Sequence, residues 1–196
     1  VHLFTQSGGK LKFRDKDNVF ITDKSPSEQI SIGSCNGDFD LDDVVNNSNN
    51  LVKEFLNINK SDYENLEINC SKEVDKKNIW LLPSDKPLGK TKPFLDFQND
   101  STAKDVKLAL REGFKSIEHV KRYTTTGMGT DQGKLSNMHA FGIIAETTGV
   151  KMGELGTTTF RPPFTPLTFG VIVGRNVGEF FDITRKTPMH EWHVQQ

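Results

Sequence analysis

Nothing in this sequence approaches the roughly 20 consecutive apolar residues that cross a bilayer. No charged-then-apolar leader segment is present either, so no membrane association is expected. Charge of one sign is equally lacking: 25 Lys and Arg stand against 26 Asp and Glu, a formal net charge of -1. That balance argues against a general nucleic-acid binder or a basic membrane-surface protein. Cysteine is scarce, with Cys35 and Cys70 the only two in 196 residues. Neither sits in a Cys-x-x-Cys or Cys/His spacing, and both read as packing thiols of a reducing, cytoplasmic compartment. Two thiols do not supply the four soft ligands of a zinc or iron–sulfur site. With 34% hydrophobic content, the chain can bury one moderate core or two small ones. It starts at Val1 inside a strand-like mixture, which suggests a piece of a longer polypeptide.

What is present concentrates in one stretch, Ser116–Lys134. A short amphipathic helix carrying Lys121 and Arg122 runs into Thr124, Thr125 and Thr126. Gly127, Gly129, Gly133 and Lys134 follow within eight residues. Glycine permits close backbone approach, and a turn that feeds a helix presents N–H groups to anions. Two readings stand side by side: an anion-cradling loop between two helices, or an ordinary turn with solvated charges.

Around this stretch the chain divides by pattern. His2-Leu3-Phe4-Thr5, Leu11-Lys12-Phe13 and Val19-Phe20-Ile21 read as short strands. Ile30–Ile32 reads as an apolar strand that runs through Gly33-Ser34-Cys35-Asn36-Gly37-Asp38 into a helix. Asp40 is its N-cap candidate, and Leu41, Val44, Val52 and Phe55 recur at helical spacing. Strand, glycine-containing loop and helix is how sheet-based nucleotide domains meet a cofactor, although a plain strand–turn–helix fits as well. Residues 57–93 are polar and punctuated by Pro83, Pro87 and Pro93. They read as a surface linker with Trp80 and Leu82 as docking points.

Three short helices are expected next. The first starts at a Thr102-x-x-Asp105 capping box and carries the stripe Val106, Leu110, Phe114 and Ile117. The second is capped by Ser116. The third spans about 136–148 and ends at Gly149. The segment 156–166 is extended, because Pro162, Pro163 and Pro166 forbid helix. Arg161, held between Phe160 and that proline pair, can bind an anion or pair with a carboxylate. His190-x-x-His193 has a metal-ligand spacing that surface histidines share, and no metal is expected there.

The segments Phe94-Leu95-Asp96-Phe97-Gln98-Asn99-Asp100, Arg111-Glu112-Gly113-Phe114, the whole of Ser116–Lys134, and Thr157-Thr158-Thr159-Phe160-Arg161-Pro162-Pro163 carry a specific resemblance. The chain resembles the alpha subunit of heterotetrameric sarcosine oxidases along essentially its whole length. The resemblance implies an α+β chain: a partial nucleotide-binding α/β segment with linker (1–83), a small helical domain (84–170), and a connector (171–196). That connector would lead to a folate-binding, aminomethyltransferase-like domain outside the chain. The helical part is also similar to the 2Fe–2S domain of bacterioferritin-associated ferredoxins (BFD-like). The four cysteine positions of those proteins fall here on Asp96, Gln98, Asp131 and Ser136, with Gln132-Gly133 kept. Hard oxygen and amide donors do not replace thiolates around iron–sulfur, so the scaffold is expected without its cluster.

The family oxidises the N-methyl amine of sarcosine on an FAD of the beta subunit. FMN between alpha and beta passes the electrons to oxygen, and tetrahydrofolate takes the one-carbon unit. The resemblance therefore implies beta, gamma and delta partners and a segment that lines the FMN side of the interface. It supplies no catalytic acid or base. Lys121, Arg122, Thr125, Thr126, Lys134 and Arg161 are the candidates for FMN phosphate or flavin-ring oxygens. A subunit-docking role for the same residues stays open. Gly33, through its backbone, and the side chains of Asp38 and Asp40 are candidates for part of an NAD site whose pyrophosphate loop would lie upstream. A pure scaffold, or an electron-transfer module of another amine-oxidising complex, is the alternative.

Overall fold

A computed structural model of the chain describes residues 1–57, 78–181 and 184–196. Cys70 and most of the expected linker before Trp80 lie outside the described residues. The described chain forms two compact units, Val1–Phe164 and Thr165–Gln196.

The core of the first unit grows from three helices. α3 (Ala103–Arg111) starts where expected: Thr102 Oγ1 accepts from the Asp105 N–H, and the Asp105 carboxylate accepts from the Thr102 N–H at 2.8 Å. Its buried stripe is Ala103, Val106 and Ala109. Leu110 and Phe114 pack only partly against the core, and Ile117 belongs to the next helix. Small alanines let α3 approach its neighbours closely, which a stripe of large residues does not.

α4 (Ile117–Thr124) buries Ile117, Val120 and Thr124; Ser116 takes its N-cap position without a side-chain capping bond. α5 (Asn137–Thr148) buries Ala140, Phe141, Gly142, Ile143 and Ile144, so it is apolar on most of its circumference, as a central helix must be. Ile143, Ile144, Val106 and Val120 are the largest fully buried side chains. Each contributes about 1.5–3 kcal/mol by leaving water. Gly149, at φ 74°, ends α5, and the one-turn α6 (Met152–Leu155) adds Met152 to the cluster.

The amino-terminal part packs on this core. β1 (Leu11–Arg14) and β2 (Val19–Thr22) form the expected antiparallel hairpin. Phe13 and Phe20 lie against the helical core, with Phe20 edge-on to Phe141 at 6.5 Å. The expected strand at His2–Thr5 is instead a helix, α1 (His2–Gln6). Four residues are too few to show a period. The outcome is set by tertiary partners: His2 stacks on Phe160 at 4.6 Å and Nε2 bonds the Arg161 carbonyl at 2.8 Å.

Ile30–Ile32 is not a strand either, since among the described residues no neighbouring strand offers it a ladder. Gly33–Asn36 forms a single 3-10 turn before α2 (Leu41–Leu56), and Asp40 takes the N-cap position without a side-chain capping bond. Among the described residues both sheets are two-stranded and antiparallel, the second pairing β3 (Phe94–Asp96) with β4 (Ser101–Thr102). The mixture of helix and sheet is as expected, and no parallel pair accompanies it among the described residues.

Trp80 docks as expected, but its companion is Leu81, which packs on the core, while Leu82 remains 79% exposed. The socket for Trp80 is Gly142: a Cβ there would meet the indole Cδ2 at 2.1 Å. The second unit holds α7 (Phe169–Val173) and α8 (His190–Gln195).

Candidate functional site

α4 ends because Thr125 turns into the left-handed region at φ 61°. Thr124 and Thr126 are buried at this turn, and Thr125 is exposed at its tip. Thr124 Oγ1 donates to the Val120 carbonyl at 2.8 Å and lies 2.9 Å from Thr126 Oγ1, whose hydroxyl can donate to it, while Thr125 Oγ1 donates to the Thr124 carbonyl at 2.6 Å. The hydroxyls of Thr124 and Thr126 build the corner, and that of the exposed Thr125 bonds its own backbone.

The loop beyond it is held by side chains that occupy its backbone donors. Asp96, only 3% exposed, reaches up from β3. One of its oxygens accepts from the Gly127 N–H at 2.7 Å, and the other from the Gln98 and Asn99 N–H groups at 2.9 and 3.3 Å. Gln98 Oε1 accepts from the Thr130 N–H and hydroxyl, both at 2.8 Å. Asp131 accepts from the Gly133 and Leu135 N–H groups at 3.1 and 3.3 Å. Ser136 is buried, and its hydroxyl has no partner among the described residues.

Gly133, at φ 73°, is required here, because a Cβ would meet the Asn137 amide at 2.0 Å. The chain's own carboxylates and amides thus satisfy N–H groups that the glycine pattern suggested were free for an external anion. Three of the four positions without cysteine, Asp96, Gln98 and Asp131, are these acceptors.

Beside the loop lies a set of cations. A cleft of about 130 Å³ is lined by Lys121 and Arg122 from α4, by Gly127, Met128, Gly129 and Gln132 from the loop, and by Thr159 and Arg161. Glu118 is the carboxylate beside it: Oε2 lies 3.8 Å from Lys121 Nζ and 3.6 Å from the Arg122 guanidinium. The Arg161 guanidinium has no ion-pair partner among the described residues. Positive charge therefore exceeds negative at this cleft.

The outer wall, 158–164, is extended and tied down by side chains. The Gln132 amide brackets it, with Oε1 accepting from the Arg161 N–H at 2.7 Å and Nε2 donating to the Pro163 carbonyl at 2.6 Å. Glu118 Oε1 accepts from the Thr159 N–H at 2.7 Å, and Asn137 Nδ2 donates to Thr158 Oγ1 at 2.9 Å.

Of the sequence candidates, the fold brings Lys121, Arg122 and Arg161 together. Lys134 is engaged elsewhere. Its Nζ donates to the Phe164 carbonyl at 3.1 Å and sits over the Phe160 and Phe164 rings at 5.7 and 5.1 Å, which makes it a clamp on the extended segment. Gly33, Asp38 and Asp40 lie at the turn before α2, away from this cleft. The Asp38 N–H closes that turn on the Gly33 carbonyl at 3.2 Å.

Glu118 and Gln132 are site residues that were not among the binding candidates, although Gln132 belongs to the Gln132-Gly133 pair kept from the ferredoxin pattern. Glu118 was detectable from its i,i+3 and i,i+4 spacing to Lys121 and Arg122. The bracketing role of Gln132 had no local signal, since its partners are about 30 residues away.

Known proteins resemble this arrangement in sequence. Residues 90–175 match the family described as the sarcosine oxidase A3 domain. The alpha subunit of sarcosine oxidase from Corynebacterium sp. (strain P-1) is 36% identical over 204 residues, covering 100% of this chain and 21% of its own length. The chain belongs to the sarcosine oxidase alpha-subunit family.

The alpha subunit from Rhizobium meliloti (strain 1021) is 52% identical over 114 residues, 58% of this chain and 11% of that protein. The chain thus spans about a fifth or less of the length of these sarcosine oxidase alpha subunits. In three dimensions the chain is similar to L-proline dehydrogenase from P. horikoshii, with a TM-score of 0.53 and 19% identity over 86% of this chain and 36% of that one. That likeness concerns the fold alone. Among the described residues no helix is long and apolar enough to cross a membrane.

Proposed function

We propose that this chain is the part of a sarcosine oxidase alpha subunit that holds the anionic end of a flavin cofactor at a subunit boundary. The whole complex would carry out oxidative demethylation of sarcosine to glycine in the cytoplasm, with oxygen as electron acceptor and tetrahydrofolate as one-carbon acceptor. One observation carries the reading: Lys121, Arg122 and Arg161, drawn from positions about 40 residues apart, converge on one cleft with Glu118 beside them.

An arginine fork and an ammonium group suit a phosphate. The volume of about 130 Å³ falls below the roughly 300–1,000 Å³ of sites that enclose a drug-sized molecule. The cleft therefore fits the phosphate of FMN, and the ring system would rest on the beta subunit. The chemistry supplied by such a flavin is passage of electrons to oxygen. This chain's residues fix the phosphate and exclude water from one side of it. Thr125, Thr126 and Lys134, candidates for direct contact by sequence, serve by shaping the corner and clamping the wall.

FAD on the beta subunit and gamma and delta partners complete the same reading. Gly33, Asp38 and Asp40 would contribute an edge of an NAD site completed by residues upstream of this chain.

The test is flavin content of the intact complex after Arg161→Ala and Lys121→Ala. FMN retention is expected to fall at least about tenfold for the pair, with subunit stoichiometry unchanged. A second reading, subunit docking, is favoured by the exposed Phe97, Met128 and Leu135 around the loop. Full FMN occupancy combined with loss of assembly would establish docking instead.

A further inference from the structure

A second depression, about 560 Å³ in volume, runs along the proline-punctuated segment where it passes α3 and α5. Its apolar lining includes the half-buried Leu81 and Leu88 and the exposed Leu82 and Pro83. Its rim carries Lys86, Lys92 and Lys107, with Glu146 as its carboxylate. None of these three ammonium groups has an ion-pair partner among the described residues, so three cations face one anion across an apolar strip.

The backbone beside them is also under-used. Among the described residues, the backbone–backbone hydrogen bonding within 81–92 consists of the Lys90 N–H to the Pro87 carbonyl at 2.8 Å. Pro83 and Pro87 keep the rest out of helix and sheet. Side chains take two more groups, the Lys86 N–H donating to Ser84 Oγ at 3.1 Å and Thr91 Oγ1 donating to the Leu88 carbonyl at 3.3 Å; the amides and carbonyls left over are what another extended chain pairs with.

We propose that this groove is the docking site for an extended, carboxylate-rich segment of another polypeptide. Its apolar side chains lie on Leu81, Leu82 and Leu88, and its acidic side chains meet Lys86, Lys92 and Lys107. Charge complementarity selects this occupant. A basic segment is repelled by the rim. A single-stranded nucleic acid needs aromatic stacking platforms, and the groove lining contains no aromatic residue. The volume suits a short peptide stretch rather than a single ion. This site shares no residue with the cation cleft and does not depend on the flavin reading.

The experiment uses the full-length subunit purified with the proteins it assembles with. A carbodiimide joins lysine to carboxylate without a spacer, and acetic anhydride labels lysines that remain open. The expected result is isopeptide links from at least two of Lys86, Lys92 and Lys107 to one segment of another polypeptide. Their acetylation in the assembly should be at least about fivefold slower than in the separated subunit. A substituted lysine can form no link, so the variants are read at the lysines that remain: K86E and K107E should each lower the links from the other two rim lysines at least about fivefold. K86Q and K107Q, checked for native circular dichroism, replace them if the charge reversals fail to fold. Links confined to carboxylates of this same chain would overturn the proposal. So would equal acetylation in assembly and separated subunit.

Discussion

Replacing Asp96 by alanine should unfasten the Thr125–Ser136 loop while leaving the three-helix core standing. The Asp96 carboxylate is buried, with 3% exposure, and accepts from Gly127 at 2.7 Å, Gln98 at 2.9 Å and Asn99 at 3.3 Å. Alanine leaves the buried Gly127 N–H without a partner, at about 1–3 kcal/mol. Loss of the two charge-assisted bonds on the other oxygen adds to that, so the local cost is about 3 kcal/mol or more. Each factor of ten in an equilibrium constant is about 1.4 kcal/mol, so about 3 kcal/mol predicts roughly 100-fold faster hydrogen exchange at Gly127 and its loop neighbours. Amides of Ile143 and Ile144 in α5 should change little. Asp96→Asn keeps one acceptor oxygen but turns an amide donor toward other donors, so it should fall between wild type and alanine. Exchange measured by mass spectrometry on the intact subunit is the assay. A change below about threefold for Asp96→Ala would refute the view that this carboxylate holds the loop. So would an equal loss of protection throughout α5.

Two further outcomes follow from single contacts. Gly142→Ala places a methyl where Trp80 now sits, 2.1 Å from the indole Cδ2. It should expel the ring, red-shift tryptophan emission and cost about 1–3 kcal/mol in urea denaturation; unchanged emission would show that the socket is not needed. Thr102→Ala removes one half of the capping box on α3 and should lower stability by about 1 kcal/mol. Thr102→Ser should restore most of that loss, and a failure of serine to do so would assign the effect to packing of the methyl group.

Several elements were legible from local signals. The Thr102–Asp105 capping box and the glycine stop after α5 depend on residues within four positions of the backbone they satisfy. Hairpin β1–β2 was legible because aromatic and β-branched residues flank a polar turn. Short segments were not legible. His2–Thr5 had no period to read, and its helical state rests on Phe160 and Arg161, far along the chain. Ile30–Ile32 looked like a strand by composition, but a strand requires a partner ladder, and partners are a property of the fold.

At the site itself, the sequence alone determined the charges and the absence of thiolates: Lys121 and Arg122 on one helix face, Arg161 pinned by prolines, and oxygen or amide donors at Asp96, Gln98, Asp131 and Ser136. Only the tertiary structure decided how they are used. Glycine-rich spacing is compatible with free N–H donors or occupied ones, and Asp96 and Gln98, about 30 residues away, occupy them. Likewise, three cations become a cleft only when the extended 158–164 segment is laced against the loop by Gln132 and Glu118. A hydrogen bond between residues about 30 or 40 positions apart has no periodic trace in sequence, and those bonds shape this site.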